Sequence, residues 1–179
     1  YGVSNITHPL ENIERYKNQY SKQHRLLATG KGIVTLYDTK KFGRGDNFNH
    51  SLKFTTTFTE DLRMNNSTSF LDPHKTSWGR NQYGEASDTR STDLVTVWDN
   101  VLNYTTSMNG HNLDVMVGSS YTHSMWTQSY IAGSHYADGT IQTLNAANKI
   151  DPGSTGTSAS EWAIMSGFAR VSYNYDSRY

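Results

Sequence analysis

The chain has 179 residues, is 35% hydrophobic and 12% aromatic, and balances 16 basic against 16 acidic side chains. That balance leaves no basic footprint for nucleic acid, and the absence of cysteine excludes disulfides and thiolate metal sites. No run of about 18 apolar residues exists for a transmembrane helix, but a membrane β-barrel needs only alternating strands of about 10 residues.

Taken in order, Tyr1–Lys22 is polar, with Pro9, Leu10, Ile13, Tyr16 and Tyr20 spaced for either a short helix or a surface loop. Arg25–Tyr37 is expected to be a strand, weakened by Gly30 and Gly32. Asp38–Asn47 is expected to be a loop; its Arg44-Gly45-Asp46 is a chance triplet at this length. In Phe48–Phe58 the residues Phe48, Leu52, Phe54 and Phe58 share one face, interrupted by His50 and Thr56. A turn at Glu60-Asp61 and a second alternating run, Leu62–Phe70, complete an expected hairpin.

Leu71–Thr92 reads as a long polar loop. Leu94–Tyr104 reads as a strand with Trp98, Leu102 and Tyr104 on one face, and Asn109-Gly110 signals a tight turn. A strand from Leu113 to about Trp126 follows, then a second long segment, Thr127–Ser160. In the last strand Met165, Gly167, Ala169, Val171, Tyr173 and Tyr175 oppose Ser166, Phe168, Arg170, Ser172 and Asn174. Short turns at 59–61, 107–112 and 176–178 therefore contrast with long connections at 71–92 and 127–160. In an up-and-down barrel every second connection lies at the same end, and outer-membrane barrels place short turns on one side and long loops on the other. Phe54, Phe58, Val115, Val117, Val171 and Tyr173 are then expected to face lipid.

Enzyme chemistry is thin. The seven histidines form no H-E-x-x-H pair, and neither a G-x-S-x-G elbow nor a phosphate-binding glycine loop appears, so no catalytic, metal or cofactor residue is assigned. Candidate ligand contacts are the loop aromatics Trp78, Tyr83, Tyr130 and Tyr136, and the polar-face residues Lys53, Arg63, Asp114 and Arg170. The alternative class is a secreted soluble β-domain that binds carbohydrate through stacked Trp and Tyr, or a β-rich glycosidase; in either, the apolar faces would pack on each other instead of facing lipid.

Four stretches, Ser160–Tyr179, especially Gly167 to Asp176; Thr143-Leu144-Asn145-Ala146-Ala147; the hairpin from Asn103-Tyr104 through Gly110-His111-Asn112 to Gly118; and His8-Pro9-Leu10, together resemble the SusC/RagA family of TonB-dependent outer-membrane transporters. Gln23–Asn47 departs from the family pattern, being longer and richer in glycine. The resemblance implies all-β architecture, with antiparallel up-and-down transmembrane strands forming part of a barrel of about 22 strands, short periplasmic turns and long extracellular loops. It implies that residues 1–179 are a partial barrel domain, with the plug and the TonB-contacting segment elsewhere in a longer polypeptide. It also implies a bacterial outer-membrane location among lipid, glycan or peptide fragments as cargo, and a SusD-like lipoprotein over the loops.

Overall fold

A computed structural model describes residues 9–39 and 48–176, with the backbone alone at Phe48. The Arg44-Gly45-Asp46 triplet and the residues after Asp176 lie outside it. Helix α1 (Pro9–Tyr16) leads into β1 (Gln19–Asp38), and β2 (Phe48–Leu71) is followed by the short helix α2 (Ser77–Gln82). Then come β3 (Glu85–Met108), β4 (His111–Ser134), β5 (Lys149–Ile150) and β6 (Gly156–Tyr175), with single 3-10 turns at Leu144–Ala146 and Pro152–Ser154. The sheet is an antiparallel up-and-down meander in the order β1-β2-β3-β4, with β6 also pairing β4. Two-residue β5 pairs the end of β4 through Gly133↔Ile150 and Ser134↔Lys149.

Two expectations about boundaries are corrected. Glu60-Asp61 is not a turn: β2 runs through it as one strand of 24 residues, with Asp61 buried at 8% exposure. β3 begins at Glu85 and β4 continues to Ser134, so the long connections shrink to 72–84 and 135–155. Gln23–Asp38 is strand throughout, glycines included. The contrast in connection length survives, because Asn109 (φ 49°) and Gly110 (φ 82°) alone link β3 to β4. Positive φ at both positions is what a type I′ turn demands, and Asn-Gly meets it at the least steric cost.

The chain divides into two units, and every long strand contributes to both. The first comprises 1–25, 63–93 and 126–160, the second 26–62, 94–125 and 161–179. The buried core residues among those described, Phe70, Ala86, Ala132 and Tyr136, all belong to the first. There Phe70 and Tyr136 meet edge to face, with centroids 5.1 Å apart, and Leu144, Ala146 and Ala147 pack against them. The two long connections are bonded to each other: the Tyr136 amide donates to the Tyr83 carbonyl at 2.7 Å, and the His135 amide to that of Gly84.

The second unit has no buried apolar side chain among its described residues; Thr39, Asp61 and Ser124 are the buried ones. Its apolar face is open. Leu26, Val34, Leu36, Phe58, Val117, Met165 and Val171 are 45–80% exposed. Leu27, Ile33, Trp162 and Ile164, exposed on the opposite face, sit on the edge strands β1 and β6. Polar groups on the apolar face satisfy one another: Trp98 Nε1–H donates to Thr56 Oγ1 at 2.9 Å, and Thr56 O–H donates to Asn100 Oδ1 at 2.8 Å. This explains how Thr56 and Asn100 interrupt the alternation without leaving bare donors in an apolar setting. On the polar face, Phe168 is the apparent misfit in β6. Its ring covers Gly118 of β4 so closely that an added Cβ would lie 2.4 Å from it. A glycine shielded by a cross-strand aromatic is a recognised device for pinning strand register.

Candidate functional site

The polar face of the second unit holds a pocket of about 380 Å³ lined by Ser51, Lys53, Thr105, Asn112, Asp114 and Asn174, among others. Strand alternation sends these residues to one side, and cross-strand bonds fix them. Asn112 Nδ2 donates to Asn174 Oδ1 at 2.8 Å, and Arg170 Nη2 lies 3.7 Å from Asp114 Oδ1. Asp114 Oδ1 and Ser51 Oγ are nonetheless buried with no hydrogen-bond partner. A buried polar group left without a hydrogen bond costs about 1–3 kcal/mol, which the Arg170 guanidinium offsets in part at Asp114. Lys53, Asp114 and Arg170, singled out from sequence as separate candidates, are thus brought into one neighbourhood. Arg63 is not among them; it pairs with Asp93 at 3.8 Å in the first unit. Ser51 carried no signal in the sequence, because a serine on a polar strand face looks like any other.

The loop aromatics divide. Trp78 sits on α2, half exposed, with the Arg15 guanidinium 5.1 Å from its ring centroid. Tyr83 is 62% exposed and stacks on His135 at 5.1 Å. Tyr136, by contrast, is 5% exposed and donates its hydroxyl hydrogen to the Thr143 carbonyl. Burial raises its pKa, and its ring serves the loop core instead of an open surface. Tyr130 is not in a loop at all; it lies in β4, with its ring over Gly156.

The 72–84 connection is held by backbone geometry. Thr76 Oγ1 caps α2 by accepting from the Gly79 amide at 2.9 Å. Gly79 has no room for a Cβ, which would lie 2.0 Å from the Asp72 carbonyl oxygen. Tyr83 (φ 54°) and Gly84 (φ 74°) close the helix through bonds to Arg80 and Gly79, an arrangement that satisfies its last carbonyls. The Glu11 carboxylate accepts from the Ser77 amide, tying α1 to this connection.

Asp72 is the electrostatic centre. Burial pushes its carboxyl pKa up. The His74 and Lys75 amides and the Lys75 ammonium at 3.2 Å outweigh that and hold it below the usual 3.8. A lowered carboxyl pKa stabilises the loop fully above about pH 4, and the contribution is lost as pH falls through the lower folded-state value. The protection of the Gly84 and Tyr136 amides, their exchange measured against the intrinsic rate at each pH, is therefore expected to fall below pH 4. Asp72→Asn should lower that protection at neutral pH and flatten its pH dependence; an unchanged profile in that variant would remove Asp72 from the account.

Long meandering strands, one face apolar and open, the other polar, with long connections set against a two-residue turn, define the strand architecture of an outer-membrane β-barrel. The chain is similar in structure to chains of the RagAB peptide importer in its closed-closed state (15% identity, TM-score 0.61) and open-open state (16%, 0.64). It is likewise similar to a chain of the RagAB peptide transporter (16%, 0.62). Each match covers 90% of this chain, which spans 17% of each of those chains. No family model and no curated protein matches its sequence. The resemblance to SusC/RagA transporters drawn from sequence is thus matched at the level of fold.

Proposed function

We propose that this chain forms part of the barrel wall of a TonB-dependent outer-membrane importer of the SusC/RagA kind. It works in the bacterial outer membrane, passing glycan or peptide fragments inward. The observation that carries the reading is the second unit: an apolar face 45–80% exposed at seven large side chains, with no apolar residue buried among those described. A soluble domain of that size hides such a face in a core; lipid makes hiding unnecessary. Strands of 20–24 residues also exceed the roughly 9–11 needed to cross a bilayer. The likeness in fold to the RagAB chains supports the same reading.

In this account the connections 72–84 and 135–155 face outward from the cell. Trp78 and Tyr83 offer them amphipathic rings for cargo or for a SusD-like lipoprotein. Lys53, Asp114 and Arg170 line the passage and offer charged groups to cargo. Arg63 and Tyr130, which belong to the first unit, are further candidate contacts for cargo. Energy coupling through TonB belongs to a segment other than this one.

Deleting residues 137–142 from the polypeptide that carries this chain tests the loop assignment. These residues follow the Tyr136 anchor and precede the 3-10 turn, and a shorter surface loop costs little stability. Barrel assembly should persist, with uptake or lipoprotein binding reduced severalfold. Unchanged uptake and partner binding would remove the loop from recognition.

A further inference from the structure

Beside the Asn109-Gly110 turn, the apolar face of the second unit ends in an aromatic cluster that nothing above assigns. His111 Nδ1 and the Tyr173 hydroxyl are 2.7 Å apart, and their rings stack with centroids at 6.0 Å. The Tyr175 ring lies 4.6 Å from that of His111, tilted by 48°. The cluster is anchored by the Asp176 amide, which donates to the Gly110 carbonyl at 2.9 Å. His111 is exposed, and Tyr173 is 54% exposed. The same Nδ1–hydroxyl bond, also 2.7 Å, joins His50 to Tyr104 on that face.

The position is informative. His111 shares its face with Leu113, Val115 and Val117, and is the member nearest the turn. Tyr173, next to Val171 on that face, directs its hydroxyl to His111, away from the apolar side chains and toward the turn. An aromatic body over hydrocarbon with its polar end turned outward is how tyrosine sits at a membrane boundary.

The hydrogen-bond chemistry narrows the ligand. If the Tyr173 O–H donates to Nδ1, neutral His111 carries its proton on Nε2 and offers that N–H. If Nδ1–H donates to the tyrosine oxygen, the Tyr173 O–H is left to donate. Either tautomer therefore leaves the pair one donor at the edge of the apolar face. An acceptor-rich group meets this need, and at the boundary of a bilayer that group is the phosphate of a phospholipid.

We infer that His111 and Tyr173, flanked by Tyr175, form a binding site for the phosphate of a phospholipid headgroup in the leaflet on the turn side. The inference rests on the membrane reading above. In the test, the full polypeptide in detergent is titrated with a short-chain phospholipid, a diacylglycerol lipid of equal chain length without phosphate, and inorganic phosphate, while melting is followed. Phospholipid should stabilise most. The double variant H111F/Y173F, which keeps the rings and removes both donors, should weaken apparent phospholipid affinity about tenfold and leave the phosphate-free lipid unaffected. H111Q/Y173F, with an amide donor restored, should regain most of the loss.

Equal weakening toward both lipids would reduce the cluster to aromatic packing and overturn the inference. Stabilisation by inorganic phosphate matching that by phospholipid would replace the lipid with a free anion. No stabilisation of the wild type by either lipid would overturn the membrane reading itself. Should the double variant fail to assemble, native mass spectrometry of the wild type decides: retention of the phosphate-free lipid equal to that of phospholipid contradicts the site.

Discussion

An arginine at Val117 is expected to destabilise the assembled protein by about 2–4 kcal/mol in a bilayer, the cost of a cation on the lipid face near the midplane. Val117 is 52% exposed in β4, on the face it shares with Val115 and Tyr121. Three residues on, Ser120 faces the other way and its hydroxyl meets Asp99 Oδ1 at 2.5 Å. Ser120→Arg sets a guanidinium beside that carboxylate in a wet setting, where such a pair changes stability by about 1 kcal/mol or less. Unfolding titrations in liposomes compare the two variants. Equal losses, or a larger loss at Ser120, would reverse the assignment of the faces.

The 179-residue chain by itself is expected not to fold in aqueous buffer. β1 and β6, each of 20 residues, are the edges of the sheet and leave long rows of N–H and C=O groups without neighbours. Such edges drive association in water and cost several kcal/mol per unpaired group in lipid. Among its described residues the second unit adds no buried apolar side chain to offset chain entropy. Gel filtration and thermal melts should show aggregates with no cooperative transition. A monodisperse, cooperatively melting soluble form would instead support the carbohydrate-binding domain considered from sequence.

How much of this was legible depended on where a strand has two unlike faces. In Leu113–Met125 and Met165–Tyr175 one face is apolar and the other polar, so a period of two stands out. The Asn109-Gly110 turn was legible because its backbone demands those residues. Where both faces are polar, the period vanishes. Glu85–Thr92 reads as loop for that reason, and Thr127–Ser134 because it opens a segment rich in Gly, Ser, Thr and Asn, yet both are strand. Glu60-Asp61 misled because acidic pairs are uncommon in strands, although Glu60 continues the Phe58–Leu62 face and Asp61 is buried on the other.

The site was legible only in part. Lys53, Asp114 and Arg170 announced themselves as charges on polar faces, but their convergence depends on cross-strand register. The orphaned Ser51 hydroxyl depends on burial. The loop core joins Phe70 to Tyr136 across two strands and a turn, and no local pattern reports such a contact.

The central claim is that the long connections and the tight turn lie on opposite sides of a membrane. Single cysteines at Thr140 and Asn109 test it directly. Thr140 is exposed in the 135–155 connection, and Asn109 is exposed in the turn; these 179 residues contain no other cysteine. Thr140 is a better probe than Ser134, which ends β4 with its hydroxyl against His135. On intact cells, a membrane-impermeant thiol reagent should label T140C and spare N109C until the outer membrane is permeabilised. Labelling of N109C alone would invert the topology, and labelling of both on intact cells would contradict a membrane barrel.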